Sequence, residues 1–348
     1  MARGDWVTVR GGGVFGLACG YELAKRGMKV RLIERARIGA GASGGTVGML
    51  SPHVPDQWNA KKQFQFESLV MSGAFWDAVK AAGSVDAGFA RVGRLQPIAK
   101  EAGIALAEAR AKDAAENWGP EFLWRIAKVE EFGAFAPVSP TGLVIHDTLS
   151  GRASPRRAGA ALVAAIEALG GEVILGEAEE RGPVLHATGL AGLEALNAAF
   201  GKPVGSGVKG QSAILAHDAG PVPQIFAEGV LVVPHADGTV GVGSTAEREY
   251  TDPTSTDAQL EDVIARARAL VPALAGAEVV ERWANVRPRA ASLSPMLGAW
   301  PGRAGHYIVN GGFKIGFGMA PKVAVVMADL VLDGVDAIPE GFRVEDCL

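Results

Sequence analysis

Cysteine is almost missing from this chain: two residues among 348, Cys19 and Cys347, lie at opposite ends. That excludes a disulfide framework. No Cys/His cluster has metal-ligand spacing either, so no metal is expected, and a reducing cytoplasm is the expected setting. Long apolar runs are also missing. The most apolar C-terminal stretch, 323–332, is too short to span a bilayer and contains Asp329. A strand is expected from Trp6, which leaves no room before it for a signal peptide. An excess of one charge is lacking too. Thirty-four Lys and Arg against 38 Asp and Glu give a net charge of −4. No basic stripe stands out, which argues against a nucleic-acid partner. The densest basic cluster, Arg152, Arg156 and Arg157, reads as a solvated helix start. Internal repeats and low-complexity linkers are absent. With 48% hydrophobic residues, a chain of this length can bury a large core, organised as two intimately joined domains.

What the chain does have is glycine, 47 residues, concentrated in three turns. The first is the most informative. Trp6 to Arg10 reads as a strand, Leu17 to Arg26 has helical spacing, and Lys29 to Ile33 reads as a second strand closed by Glu34. Between the first strand and the helix lies Gly-x-Gly-x-x-Gly: Gly11, Gly13 and Gly16. Each glycine has a physical task in a dinucleotide site. Gly11 permits the tight turn, Gly13 lets a pyrophosphate approach the backbone, and Gly16 lets helix and strand pack closely. The helix N-terminus offers N–H groups and a positive dipole end to phosphates. Glu34 can accept from ribose hydroxyls and would repel a 2′-phosphate. A tight turn holding no ligand is the competing reading.

The second turn, Ile38 to Ser51, lacks periodicity and suggests backbone lying against something flat or charged, with a short helix opening at Ala42-Ser43. The third, Gly311 to Gly318, leads into a final helix from about Met319 to Leu332. Between them, helices are expected over 64–82, 101–117, 154–169 and 257–270, the third capped by Ser154 with Pro155 behind it. Strands are expected at 93–98, 142–146, 172–175, 184–189 (ending in a small-residue turn), 212–215, 230–233, 240–243, 279–286 and 307–310, with a hairpin signal at Asp237-Gly238.

The order and spacing of these segments resemble the D-amino-acid oxidase superfamily of FAD-dependent oxidoreductases, on the glycine oxidase and sarcosine oxidase side. The marks are the glycine triplet with Glu34-Arg35, Gly39 to Leu50, His186-Ala187-Thr188-Gly189, Gly210-Gln211, Pro234 to Thr245, Trp283 to Pro288 and Gly311 to Gly316. The resemblance implies an α/β fold. A Rossmann-like FAD-binding domain (1–80, 151–203 and 296–348) would interleave with an antiparallel-sheet substrate domain (81–150 and 204–295). It implies FAD, bound non-covalently because no cysteine lies near the flavin segments. Gly11, Gly13, Val14, Phe15, Gly16 and Glu34 would take the adenosine diphosphate half. Arg35, Ala42 and Ser43 would follow the phosphates and ribityl chain, and Thr46, Val47, Gly48 and Met49 would pass beside the isoalloxazine ring. A strand near Ala178 would flank the adenine, Thr188 and Gly189 would approach the pyrophosphate, and Gly312, Lys314, Ile315 and Gly316 would close the C-terminal side.

On the substrate side the resemblance gives Arg287 the role of gripping a carboxylate, for which a planar guanidinium fork is well matched; Arg289 is the competing candidate. Lys314 resembles the lysine placed near the flavin, where a cation favours negative charge on the reduced ring. His53 is the best polar candidate beside the ring, with His235 of similar standing and Tyr250 the one tyrosine that could come near. Two departures stand out. Leu231 occupies the place of a family tyrosine, and only Glu177 to Pro183 separate the adenine strand from the Ala187-Thr188-Gly189 turn, where a three-stranded meander is usual. The implied reaction is oxidation of a small amino or imino acid at its C–N bond, with hydride passing to flavin N5 and then to dioxygen or another carrier. The alternatives are a dehydrogenase of the same fold serving a quinone or carrier, a nicotinamide enzyme using only the N-terminal unit, and a non-catalytic FAD-binding protein. Oligomeric state is not legible.

Overall fold

The computed structural model describes residues 1–348. The chain opens with β1 (Trp6–Arg10), α1 (Val14–Lys25) and β2 (Lys29–Glu34). Next come β3 (Met49–Leu50), α2 (Ala60–Gly83), β4 (Arg94–Pro97), α3 (Ala102–Trp118), β5 (Trp124–Lys128), β6 (Leu143–Asp147) and β7 (Gly151–Arg152). The middle supplies α4 (Pro155–Ala168), β8 (Glu172–Leu175), β9 (Val184–His186) and α5 (Gly189–Phe200). A β-rich stretch follows: β10 (Gly205–Ala216), β11 (Gln224–Ala227), β12 (Val230–Pro234) and β13 (Thr239–Gly243). The chain ends with α6 (Ala258–Leu270), β14 (Glu278–Ala290), β15 (Met296–Ala299), β16 (His306–Asn310) and α7 (Gly316–Asp333).

Two large sheets organise these elements. The first has the order β15-β16-β9-β1-β2-β8, parallel except where β15 pairs antiparallel with β16. β1 and β2 are apolar on both faces (Val7, Val9, Val30 and Leu32 are all buried), as a strand covered on two sides requires. α1 packs on α4 and α7, and α2 packs on α4 and α7, forming the larger core. The second sheet has the order β14-β10-β13-β12-β11-β4-β6-β5 and is antiparallel except for the β11–β4 pair. α6 covers it with Leu260, Val263, Ile264 and Ala267, opposite Val232, Val240 and Val242. The long β10–β14 pair runs from Gly205↔Ala290 to Ala216↔Glu278 and carries Arg287 opposite Val208.

Local chemistry sets several boundaries. α2 starts four residues before the expected Phe64, because the Asn59 side chain accepts from Lys62 N and caps it. Asp257 caps α6 in the same way through Gln259 N. Ser154 does not cap α4: its hydroxyl makes no such bond, and Pro155 alone marks the start. α5 and the strands β3, β5, β7, β11 and β15 were not expected from the sequence. β8 leads to β9 through an irregular segment with no strand between them, so the trimmed meander is a feature of the fold. That segment also holds Ala178, which lies in no strand. Its polar, glycine-flanked sequence has no second apolar face to pair with the sheet.

Candidate active site

One cavity of about 1190 Å³ runs from the β1–α1 turn to the β10–β14 pair. At its first end β1 runs directly into α1. Gly11 has φ +110°, and a Cβ there would lie 2.3 Å from the Ala187 carbonyl oxygen. A Cβ on Gly16 would lie 2.0 Å from the Gly11 carbonyl oxygen, so Gly16 serves helix–strand packing and does not line the cavity. Gly13 caps α1 with no side chain, and no acid occupies the first turn. Ser43 Oγ accepts from Val14 N at 2.9 Å, drawing the 42–49 loop onto the helix start. Glu34 Oε2 accepts from Gly12 N at 2.7 Å and Oε1 from Ala36 N at 2.9 Å, which fixes the carboxylate facing the cavity. At the far edge Arg10 pairs with Glu180 and Glu177. The wall there is Gly176, Glu177 and Glu180 rather than Ala178. His186, stacked on His306 and edge-on to Trp300, completes that edge; burial and the neighbouring His306 push its pKa down to about 4.

The middle of the cavity is backbone. Ala42, Ser43, Thr46, Val47, Gly48 and Met49 line one side, with Arg35 beyond them, and Gly312, Lys314, Ile315 and Gly316 line the other. Two further helices start on this cavity. α5 opens with Thr188 and Gly189, and α7 opens with Gly316 and Phe317; neither has an acid in its first turn. Three positive helix ends therefore face one space. Behind the loop, Thr46 Oγ1 donates to Ser212 Oγ at 2.7 Å, and His235 Nε2 lies 2.9 Å from the Val47 carbonyl oxygen. A carbonyl only accepts, so Nε2 carries the proton. His235 braces Val47 from outside the cavity, and burial lowers its pKa. Tyr250 and Arg289 also lie outside the lining.

The second end is built on β14. Arg287 Nη2 donates to Ser244 Oγ at 2.8 Å and Nη1 to the Thr245 carbonyl oxygen at 3.1 Å. Both partners are neutral. Burial brings the guanidinium pKa down to about 10, with Glu247 acting in the opposite sense. Glu247 itself is engaged by Lys209, Gln211 and Thr245. Gly210, on the neighbouring strand, makes the space: a Cβ there would fall 1.9 Å from Arg287 Nη2. Lys314 is exposed as a residue, yet its ammonium is lowered by partial burial and by the Arg287 and Arg289 charges. Leu231 and Phe226 supply apolar wall, as the tyrosine-to-leucine departure implies.

His53 also lines this end. Gln65, almost fully buried, accepts through Oε1 from His53 N at 2.8 Å and contacts His53 Nδ1 with the same oxygen; its Nε2 donates to the Ser51 carbonyl oxygen at 3.0 Å. The backbone N–H fixes which end of the amide faces His53. Nδ1 therefore carries the proton and Nε2 keeps a lone pair. Burial, opposed by the Gln65 bond, lowers the His53 pKa. The sequence reading missed Gln65 and Arg94, the latter buried and paired with Asp147 at 2.8 Å on β4 and β6. Their signal, a polar residue on an apolar helix face and an arginine inside a short strand, is visible but not distinctive.

The family of FAD-dependent oxidoreductases named DAO matches residues 7–330. The chain belongs to that family. A glycine oxidase of Pseudomonas aeruginosa is 28% identical, over 93% of this chain and 94% of that protein. The crystal structure of glycine oxidase from Geobacillus kaustophilus superposes with a TM-score of 0.83 at 23% identity, covering 99% of each chain. That of iminodiacetate oxidase from Chelativorans sp. BNC1 gives 0.83 at 20% identity, covering 97% of this chain and 98% of that one. These two likenesses speak for the fold.

The residues present fit FAD. The side-chain-free Gly11 and Gly13 turn at an acid-free helix start suits a diphosphate, and Glu34 suits ribose hydroxyls. The start of α7, with Lys314 just before it, suits the electron-rich edge of a flavin. No helix of this oxidoreductase is long and apolar enough to cross a membrane.

Proposed function

We propose that the protein oxidises the C–N bond of a small amino or imino acid of the glycine, sarcosine or D-amino-acid type. The observation that carries this reading is Arg287, a half-buried arginine facing the cavity whose only hydrogen-bond partners are neutral, with Glu247 near it but engaged by Lys209, Gln211 and Thr245. A guanidinium partly withdrawn from water with no acid bonded to it is costly, and a substrate carboxylate offsets that cost through a bidentate contact whose charge-assisted bonds each contribute about 1.5–3 kcal/mol. The names of the relatives, glycine oxidases, agree with such a substrate.

In this reading Arg287 fixes the carboxylate, and Leu231, Phe226 and Met49 exclude water around the α-carbon. His53 Nε2 accepts the proton that the substrate ammonium must lose before its nitrogen lone pair can form the C=N bond. Lys314 holds positive charge at the cofactor edge. FAD, held non-covalently by the Gly11 and Gly13 turn, Glu34 and the start of α7, would supply the two-electron acceptor for the α-hydrogen. Water then hydrolyses the released imine to a keto acid and an amine or ammonia, and dioxygen or another carrier takes the two electrons. The test is product analysis with the purified holoenzyme on glycine, sarcosine, D-alanine and D-proline. Keto acid formation is expected, with KM raised steeply in Arg287→Ala while FAD stays bound. A FAD-loaded enzyme that forms no keto acid, or an unchanged KM in the variant, refutes the reading.

A further inference from the structure

One carboxylate on Arg287 leaves the mouth of the cavity with more positive charge than it needs. Arg289 stands two residues further along β14, and its guanidinium carbon lies 5.6 Å from the centre of the Phe313 ring. Lys314 Nζ lies 5.6 Å from the centre of the same ring. Lys61, in the first turn of α2, reaches the carbonyl oxygen of Leu293 in the turn that follows β14. Arg289 and Lys314 thus flank Phe313, which lines the cavity beside Arg287, and Lys61 lies close enough to Arg289 and His53 to act on both; Arg289 and Lys61 stand just outside the lining, at its rim.

Three acids are committed elsewhere, while Glu194 lines the cavity from α5, beside Tyr250, with no ion-pair partner. Glu67 pairs with Lys322, Asp56 with Lys62 and Arg110, and Glu247 with Lys209. In a chain of net charge −4, this unneutralised group is against the average. The cations also act on one another: burial and Arg289 lower the Lys61 pKa, as burial, Arg287 and Arg289 lower that of Lys314. Like charges held together in a partly desolvated mouth destabilise it and raise the local concentration of anions. A bound anion relieves the repulsion. The amine-oxidation reading already uses Arg287 for the first carboxylate and Lys314 for the cofactor edge. Arg289 and Lys61 have no such duty.

We propose that the preferred substrate is an amino- or imino-dicarboxylate, with the second carboxylate held at the mouth by Arg289 and Lys61. The inference rests on the amine-oxidation reading and narrows its substrate class. The experiment uses the purified holoenzyme and two inert ethers. Diglycolate and methoxyacetate are the oxygen analogues of iminodiacetate and sarcosine, without the oxidisable amine. Their affinities are read from the perturbation of the bound flavin spectrum. Diglycolate is expected to bind about tenfold more tightly or better. That ratio should shrink with added salt and in Arg289→Gln and Lys61→Gln, and Arg289→Lys should retain most of it. Steady-state kcat/KM should likewise favour iminodiacetate over sarcosine. Equal affinities for the two ethers, or a ratio that neither substitution moves, overturns the dicarboxylate assignment; amine oxidation then stands if sarcosine or glycine still reduces the flavin. If no amine of either class reduces the flavin, the amine-oxidation reading falls and this inference falls with it.

Discussion

Gly210→Ala tests the proposed carboxylate clamp by displacing Arg287 without replacing it. Gly210 lies on β10, where its backbone is compatible with alanine, so the fold should survive. The added Cβ would sit 1.9 Å from Arg287 Nη2, 2.1 Å from Cζ and 2.2 Å from Nη1. Non-bonded heavy atoms settle at about 3.5 Å, so the guanidinium must retreat by roughly 1.5 Å. It would leave Ser244 Oγ and the Thr245 carbonyl oxygen, its two anchors. A misplacement of about 1 Å in a binding group costs on the order of 10²-fold, or about 2.7 kcal/mol. The expected result is a KM for glycine or sarcosine raised about 100-fold, with a smaller change in kcat and normal FAD content. Steady-state kinetics on the FAD-saturated enzyme, with the flavin spectrum as the folding control, decides the matter. A KM within about threefold of the parent in a folded holoenzyme would refute the reasoning.

Other perturbations address other parts of the cavity. Glu34→Ala leaves the Gly12 and Ala36 amides without their acceptor and removes the ribose-facing carboxylate, so FAD affinity, read by flavin fluorescence, should fall by about 30-fold or more. Gln65→Glu places a negative charge against His53 Nδ1 and should raise the pKa of the acid limb of the kcat/KM profile; Gln65→Leu removes the bond that raises it and should lower that limb. An acid limb unmoved by both would remove His53 from the proton path. Stability should fall as pH drops from about 6.5 towards 4, because His53, His146, His186, His235 and His306 all have folded pKa values below the ordinary 6.5 and the unfolded chain binds more protons in that window. His186→Gln should lessen that loss in a melting-temperature series, since the His186 pKa is pushed furthest, to about 4.

Much of the first end of the cavity was legible because its signal is local. The glycine triplet, the helix after it and Glu34 lie within one β-α-β unit, and each has one steric or electrostatic task. Arg287 was legible through its neighbourhood, with Pro288 holding the backbone extended at the end of a strand. What the sequence concealed depends on partners far along the chain. His235 has the same local appearance as His53, yet it braces Val47 from behind while His53 lines the cavity. Gly210 looks like any strand glycine until β14 places Arg287 against it. α5 was missed because the small-residue turn at Thr188-Gly189 reads as a stop, whereas it is a helix start open to the cavity. β5 and β11 are held by cross-strand pairing with β6 and β12, and neither short run carries a clear alternation of its own.

The central claim is that this oxidoreductase removes hydride from an amine held by its carboxylate. Anaerobic addition of sarcosine, and separately of its decarboxylated counterpart dimethylamine, to the purified holoenzyme tests that most directly, with the visible flavin absorption as the readout. The account predicts that the carboxylated amine, or a dicarboxylated one in its place, bleaches the flavin while dimethylamine at the same concentration does not. Bleaching by dimethylamine as readily, or by no amine at all, would contradict it.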